Sequence, residues 1–136
     1  MSNLLTAEGL QSFFAHTSFD LLITIGNSFR SDDGVGPYIA SQVQSSSALH
    51  VLDAADTPEN LIDEALALKP KKILFIDAAD FGGSPGEIQQ VDAAHIPETT
   101  LSTHTISLKV IARILEAEAK AEIQFLGIQP RQRVAR

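Results

Sequence analysis

The sequence predicts an α/β domain of three layers, with helices on both faces of a mostly parallel sheet. Strand-length apolar runs alternate with helical periods along the chain, the pattern of parallel strands joined by crossover helices. One run, Ile73-Leu74-Phe75-Ile76, is apolar at consecutive positions; it leaves no wet face, as in the middle of a sheet covered on both sides. A length of 136 residues with no cysteine suits a single domain whose core needs no covalent staples.

Taken in order, Thr6 to His16 reads as an amphipathic helix with Leu10, Phe13 and Phe14 on one side. Asp20 to Ile25 is an apolar strand stopped by Gly26-Asn27. A helix follows from Gly36 or Pro37 to Gln44, since proline is tolerated in a first turn. His50 to Asp53 is a short strand. Thr57-Pro58-Glu59 opens the next helix: Thr57 is placed to accept a backbone N–H as N-cap, Pro58 presets the turn, and Glu59 faces the positive end of the dipole. Leu61, Ala65 and Leu68 line its inner face before Pro70. Lys72 to Asp77 is the strongest strand, and Glu87 to Val91 reads as an edge strand. From His104 to Lys120 the period is helical, with Ile106, Val110, Ile114, Ile111 and Leu115 inward and Glu116 and Lys120 as an outward i,i+4 pair. Ile123 to Ile128 is the last strand.

The chain carries 17 acidic and 10 basic residues, a net charge of -7. Residues 1–68 hold all the acidic excess, with Arg30 as their one base. Such a balance disfavours general nucleic-acid binding, which draws on Lys and Arg at phosphates. It suits either a solubilising surface or a site that attracts a cation. The absence of cysteine excludes thiol nucleophiles, zinc fingers and iron–sulfur clusters. No apolar run approaches the roughly 20 residues of a membrane span, and the N-terminus lacks the pattern of a signal peptide. A soluble, cytoplasmic protein without membrane contact is expected.

In a parallel sheet, ligands gather beyond the carboxyl ends of the strands. The loop after the first strand, Gly26 to Pro37, carries Asp32 and Asp33, but it matches neither a P-loop nor a dinucleotide fingerprint. Either acid could equally cap the next helix. Asp77 ends the central strand, where an acid is costly to desolvate unless it is paired, hydrogen-bonded or bound to a cation. Asp80 follows as a turn residue. His104, in Ser102-Thr103-His104-Thr105, stands where the last long helix begins; His16, His50 and His95 have weaker claims. Two carboxylates and one imidazole suit a borderline divalent cation such as nickel, zinc or manganese. Two close carboxylates could instead share a proton and activate water. A Gly-x-Ser-x-Gly elbow and a His-Glu-x-x-His helix are both missing.

At these residues the sequence resembles the hydrogenase maturation endopeptidases, which remove a C-terminal extension from the nickel-loaded large-subunit precursor of NiFe hydrogenases. The matching pieces are Gly26-Asn27 with Asp32-Asp33-Gly34-Val35-Gly36-Pro37, Thr57-Pro58-Glu59-Asn60, and Ile76-Asp77-Ala78-Ala79-Asp80. Pro85-Gly86-Glu87-Ile88, Ser102-Thr103-His104 and Phe125-Leu126-Gly127-Ile128-Gln129-Pro130 continue them in order. The Pro-Glu-Asn and Leu-Gly-Ile-Gln-Pro runs are most similar to the branch serving the hydrogenase of formate hydrogenlyase. The resemblance implies that Asp33, Asp77 and His104 are both the catalytic and the metal-contacting residues of an aspartic-type endopeptidase. It also implies a divalent metal, nickel, that arrives with the precursor and directs recognition. The water is then activated either by the metal or by one aspartate acting as general base.

The implied fold is a mixed five-stranded sheet of order 2-1-3-5-4, phosphorylase/hydrolase-like, with strand 4 antiparallel. The domain would span 1–136 as a monomer, with an added N-terminal helix at about 6–16 and without the C-terminal helix of relatives. An apolar patch left by that helix would favour association. Two rival functions are a nickel-precursor escort that keeps the site but does not cut, and a receiver-like phosphoacceptor domain built on Asp77.

Overall fold

The computed structural model describes residues 14, 18–26, 35–43, 45–46, 48–55, 57–79, 81–96 and 108–129, the side chains of 35–37 apart. Its strands are β1 (Leu21–Thr24), β2 (His50–Asp53), β3 (Lys72–Ala78), β4 (Ile88–Asp92) and β5 (Glu122–Ile128). Its α-helices are α1 (Val35–Gln42), α2 (Ile62–Ala67) and α3 (Leu108–Ala119). The strands form one sheet of order β2-β1-β3-β5-β4. β1 pairs in parallel with β2 and β3, and β3 with β5, whereas β4 runs antiparallel to β5. This is the mixed sheet expected from the family resemblance. It is not the all-parallel 2-1-3-4-5 sheet of a receiver-like domain, which removes that rival.

Strand alternation divides the core into two halves. Ile23, Ile73, Phe75, Ile123 and Phe125 face one side, under Ala65 of α2 and Ile111, Ala112 and Leu115 of α3. Leu22, Leu74, Ile76 and Leu126 face the other, against Ile39, Val43, Phe14 and Phe19. Both faces of β3 are therefore covered, which is why its apolar run is continuous. Each such side chain contributes about 1.5–3 kcal/mol by leaving water.

At the amino edge, the Asp20 carboxylate accepts the backbone N–H groups of Lys71 (2.9 Å) and Lys72 (3.0 Å). Lys72 Nζ in turn donates to Ser18 Oγ at 2.7 Å and lies 4.9 Å from the centre of the Phe19 ring. These contacts fasten the start of β1 to the start of β3. On the outer strand β2, Val51 N–H points away from β1 and donates to Ser45 Oγ at 2.8 Å.

Four expectations change in detail. Thr57 makes no side-chain cap; its hydroxyl donates instead to Ala54 O at 3.4 Å. The segment after Pro58 begins as a 3-10 turn (Pro58–Leu61) before α2. Val110 is 45% exposed, because the buried stripe of α3 is Leu108, Ile111, Ala112 and Leu115 and position 110 lies across the helix from it. Glu116 and Lys120 do not pair: Lys120 has left the helix with φ +54°, and the ion pair found among the described residues is His95–Asp92. Of the N-terminal helix expected at 6–16, only Phe14 is described; it is helical and buried. None of the described helices is long and apolar enough to cross a membrane.

Candidate active site

The topology brings three connections to the carboxyl edge of the parallel strands. β1 ends at Thr24; Ile25 N–H donates to Ile76 O (2.9 Å) and Gly26 N–H to Ala55 O (2.6 Å). Gly26 leaves the sheet at φ +146°, a conformation a side chain would oppose. α1 runs back from this edge to feed β2, and α3 runs back to feed β5 through the short link at 120–121. Both helices therefore begin at the edge where β1 and β3 end.

Asp77 lies in the middle of this edge and is fully buried. It pairs in register with Gly127 of β5. Phe75 and Ala79, two residues either side, belong to the core half under α2 and α3, so alternation puts the Asp77 carboxylate on that face. Oδ1 accepts the N–H of Ala78 at 2.7 Å, which fixes the carboxylate against the backbone. The neighbouring position on β5 carries no side chain. A Cβ on Gly127 would come 3.0 Å from the Phe125 ring and 3.3 Å from Ala79 Cβ. Burial of an acid among apolar atoms is unfavourable in itself, which marks this position as one held for a purpose other than packing.

Asp33 and His104, the other two residues implied for the site, lie outside the described residues, as do Asp32 and Asp80. Along the chain, residue 33 falls between Gly26 and Val35, and residue 104 shortly before Leu108. Among the described residues, no three acidic or histidine side chains gather around a common point. Asp53 shares the edge but not the face. It accepts the Thr24 hydroxyl (3.2 Å) and the Ala55 N–H (3.1 Å) through one oxygen, with Val51 and Leu22 on its side of the sheet.

Glu59, in the turn after β2, has Oε1 buried with no hydrogen-bond partner among the described residues. His95 is exposed and its Nδ1 lies 2.6 Å from Asp92 Oδ1; that hydrogen bond is the main cause that holds the Asp92 pKa below the ordinary aspartate value of 3.8.

One residue carried no role in the sequence reading. Gln129 is 2% exposed, and its Oε1 accepts the N–H groups of Phe81 and Gly83, each at 2.9 Å. Its sequence signals were its place in the Leu-Gly-Ile-Gln-Pro run and its being an amide directly after an apolar strand, where a buried polar group needs partners.

The family described as HycI, hydrogenase maturation protease, matches residues 35–134. The chain is 37% identical over 114 residues to the hydrogenase 3 maturation protease of Escherichia coli K12, covering 82% of this chain and 72% of that protein. The crystal structure of a NiFe hydrogenase maturation protease HycI from Thermococcus kodakarensis superposes with a TM-score of 0.71 at 27% identity, over 89% of this chain and 80% of that one. The solution structure of the endopeptidase HycI from Escherichia coli superposes with a TM-score of 0.70 at 36% identity, over 82% and 72%.

Proposed function

The chain belongs to the hydrogenase maturation protease family, and on that premise we propose that it is the endopeptidase that trims the C-terminal extension from a nickel-loaded hydrogenase large-subunit precursor. Asp33, Asp77 and His104 contact the nickel centre of that precursor and set the scissile peptide beside it. The metal is part of the substrate and not a resident cofactor. Water adds to the scissile carbonyl carbon, the C–N bond breaks, and the departing amine takes up a proton. One aspartate accepts the proton of the attacking water, which makes the enzyme aspartic in type. The protein works in the cytoplasm as a monomer.

The observation that carries this reading is Asp77, a fully buried carboxylate at the end of the central strand, oriented by Ala78 N–H. The desolvation of such a group is already suffered in the fold, so a cation brought to it by a substrate gains the full electrostatic attraction. The connections that carry Asp33 and His104 start or end at the same edge, which supports a shared site.

The test incubates nickel-loaded and nickel-free precursor with the purified chain and measures product mass. Trimming of the loaded precursor alone is expected. Equal trimming of both overturns metal-directed recognition, and a stable uncut complex favours the escort. Asp33→Asn, Asp77→Asn and His104→Ala should each lower trimming by about 100-fold or more, as removal of a group acting in the transition state does.

A further inference from the structure

The chain leaving β3 is held by the end of β5. Ala79 N–H donates to Ile128 O at 3.1 Å, and the Phe81 and Gly83 N–H groups donate to Gln129 Oε1. The backbone of Gln129 binds the far side of the same turn: its carbonyl accepts Gly86 N–H at 2.9 Å and its N–H donates to Glu87 O at 2.8 Å. Inside the turn, Glu87 Oε1 accepts Ser84 N–H and Glu87 N–H donates to Ser84 O, each at 2.8 Å. The fit is close, because a Cβ on Gly83 would stand 2.6 Å from Glu87 Oε1 and 2.7 Å from the Phe81 ring.

A glycine-rich surface turn ordinarily satisfies its donors with water. Here a buried amide oxygen takes two of them from below. An apolar residue at 129 would fill the same core space and leave both N–H groups without that acceptor, so the glutamine does something packing does not ask for. What it fixes is the path of the chain just past Asp77, four residues before Phe81, and hence the backbone that orients the Asp77 carboxylate through Ala78 N–H. We infer that Gln129 is a positioning residue for peptide cleavage: its Oε1 clamps the 81–87 turn and so holds the segment leaving β3 in the geometry the Asp77 carboxylate needs. This inference rests on the reading of Asp77 as part of the active site.

The test uses the full chain, with amide hydrogen exchange and precursor-trimming kinetics run side by side. Gln129→Leu should speed exchange at Phe81 and Gly83 by about tenfold or more, while Ile73 to Phe75 in β3 keep their protection. It should lower kcat by about tenfold with KM changed less than about threefold. Gln129→Glu keeps an acceptor oxygen at the same reach in either protonation state and should restore both readouts. Gln129→Asn stays polar but draws the acceptor oxygen back from the turn by one methylene, and should reproduce the kcat loss, which decides the matter if Gln129→Leu does not fold.

Unchanged exchange in Gln129→Leu overturns the clamp. Wild-type kcat with loosened amides overturns the positioning role, and a Gln129→Glu chain as slow as Gln129→Leu overturns the assignment of that role to the acceptor oxygen. A wild-type chain that leaves loaded precursor uncut refutes the proposed activity itself. Active wild type with an equally active Gln129→Leu refutes this inference alone.

Discussion

Gly127→Ala isolates the crowding beside Asp77. In the middle of a strand, alanine ordinarily improves on glycine by about 0.5–1 kcal/mol through the entropy of the unfolded chain. At Gly127 the added methyl would meet the Phe125 ring at 3.0 Å and Ala79 Cβ at 3.3 Å. Both neighbours are 1% exposed, so neither can step into solvent. Overpacking of this kind costs about 1–3 kcal/mol, and the difference leaves a net loss of about 1 kcal/mol.

Urea melts should show a lower midpoint with an unchanged slope, and the thermal midpoint should fall by about 3–5 °C. Ala79→Gly in the same chain removes one of the two contacts and should make the added methyl less damaging. The double-mutant cycle then reports a favourable coupling of about 0.5 kcal/mol or more. A Gly127→Ala chain as stable as the parent, or more so, would refute the claim that this position is empty for steric reasons.

Other substitutions test other parts of the fold. Lys120→Gly places glycine where the chain leaves α3 at φ +54° and should stabilise by about 1 kcal/mol, read as a raised denaturation midpoint. Glu59→Gln removes the charge from a buried oxygen that has no donor among the described residues; its thermal midpoint should stay level or rise, because a neutral amide is less costly to bury than a carboxylate. For pH, the Asp92 pKa is lowered in the fold by its hydrogen bond to His95, so folding favours the charged carboxylate. Its contribution is present above the ordinary aspartate value of 3.8 and is lost as pH falls through the lowered one. The melting temperatures of the parent and Asp92→Asn should therefore differ slightly at about pH 5 and converge as the pH is taken below the ordinary aspartate range.

The fold was legible wherever burial imposed a period. The run from Ile73 to Ile76 announced a central strand, and Pro70 announced where the preceding helix had to stop. Val110 misled because two apolar rows, 110 and 114 against 111 and 115, compete in one helix, and only packing against the sheet decides between them. Thr57 had the composition of a cap, but its hydroxyl had a nearer acceptor in Ala54 O. For the site, Asp77 stood out as an acid ending an apolar run. Asp53 also ends a strand at this edge, yet the alternation of β2 turns it to the opposite face, toward Thr24. Gln129 stood in a run shared with the family, but its role was not legible, because its partners are backbone groups 46 and 48 residues away, and backbone donors leave no mark in a sequence.

Ser45 has a consequence for behaviour at high concentration. The outer strand of a sheet offers its outward N–H groups as a template for a strand from another molecule. At Val51 that position is already taken by a hydroxyl from the same chain, so a visiting strand must first break a native bond before it can begin to pair. The serine thus acts as a small guard against aggregation along the β2 rim, at the far side of the sheet from β4, and a chain losing its hydroxyl would be expected to self-associate from that rim first.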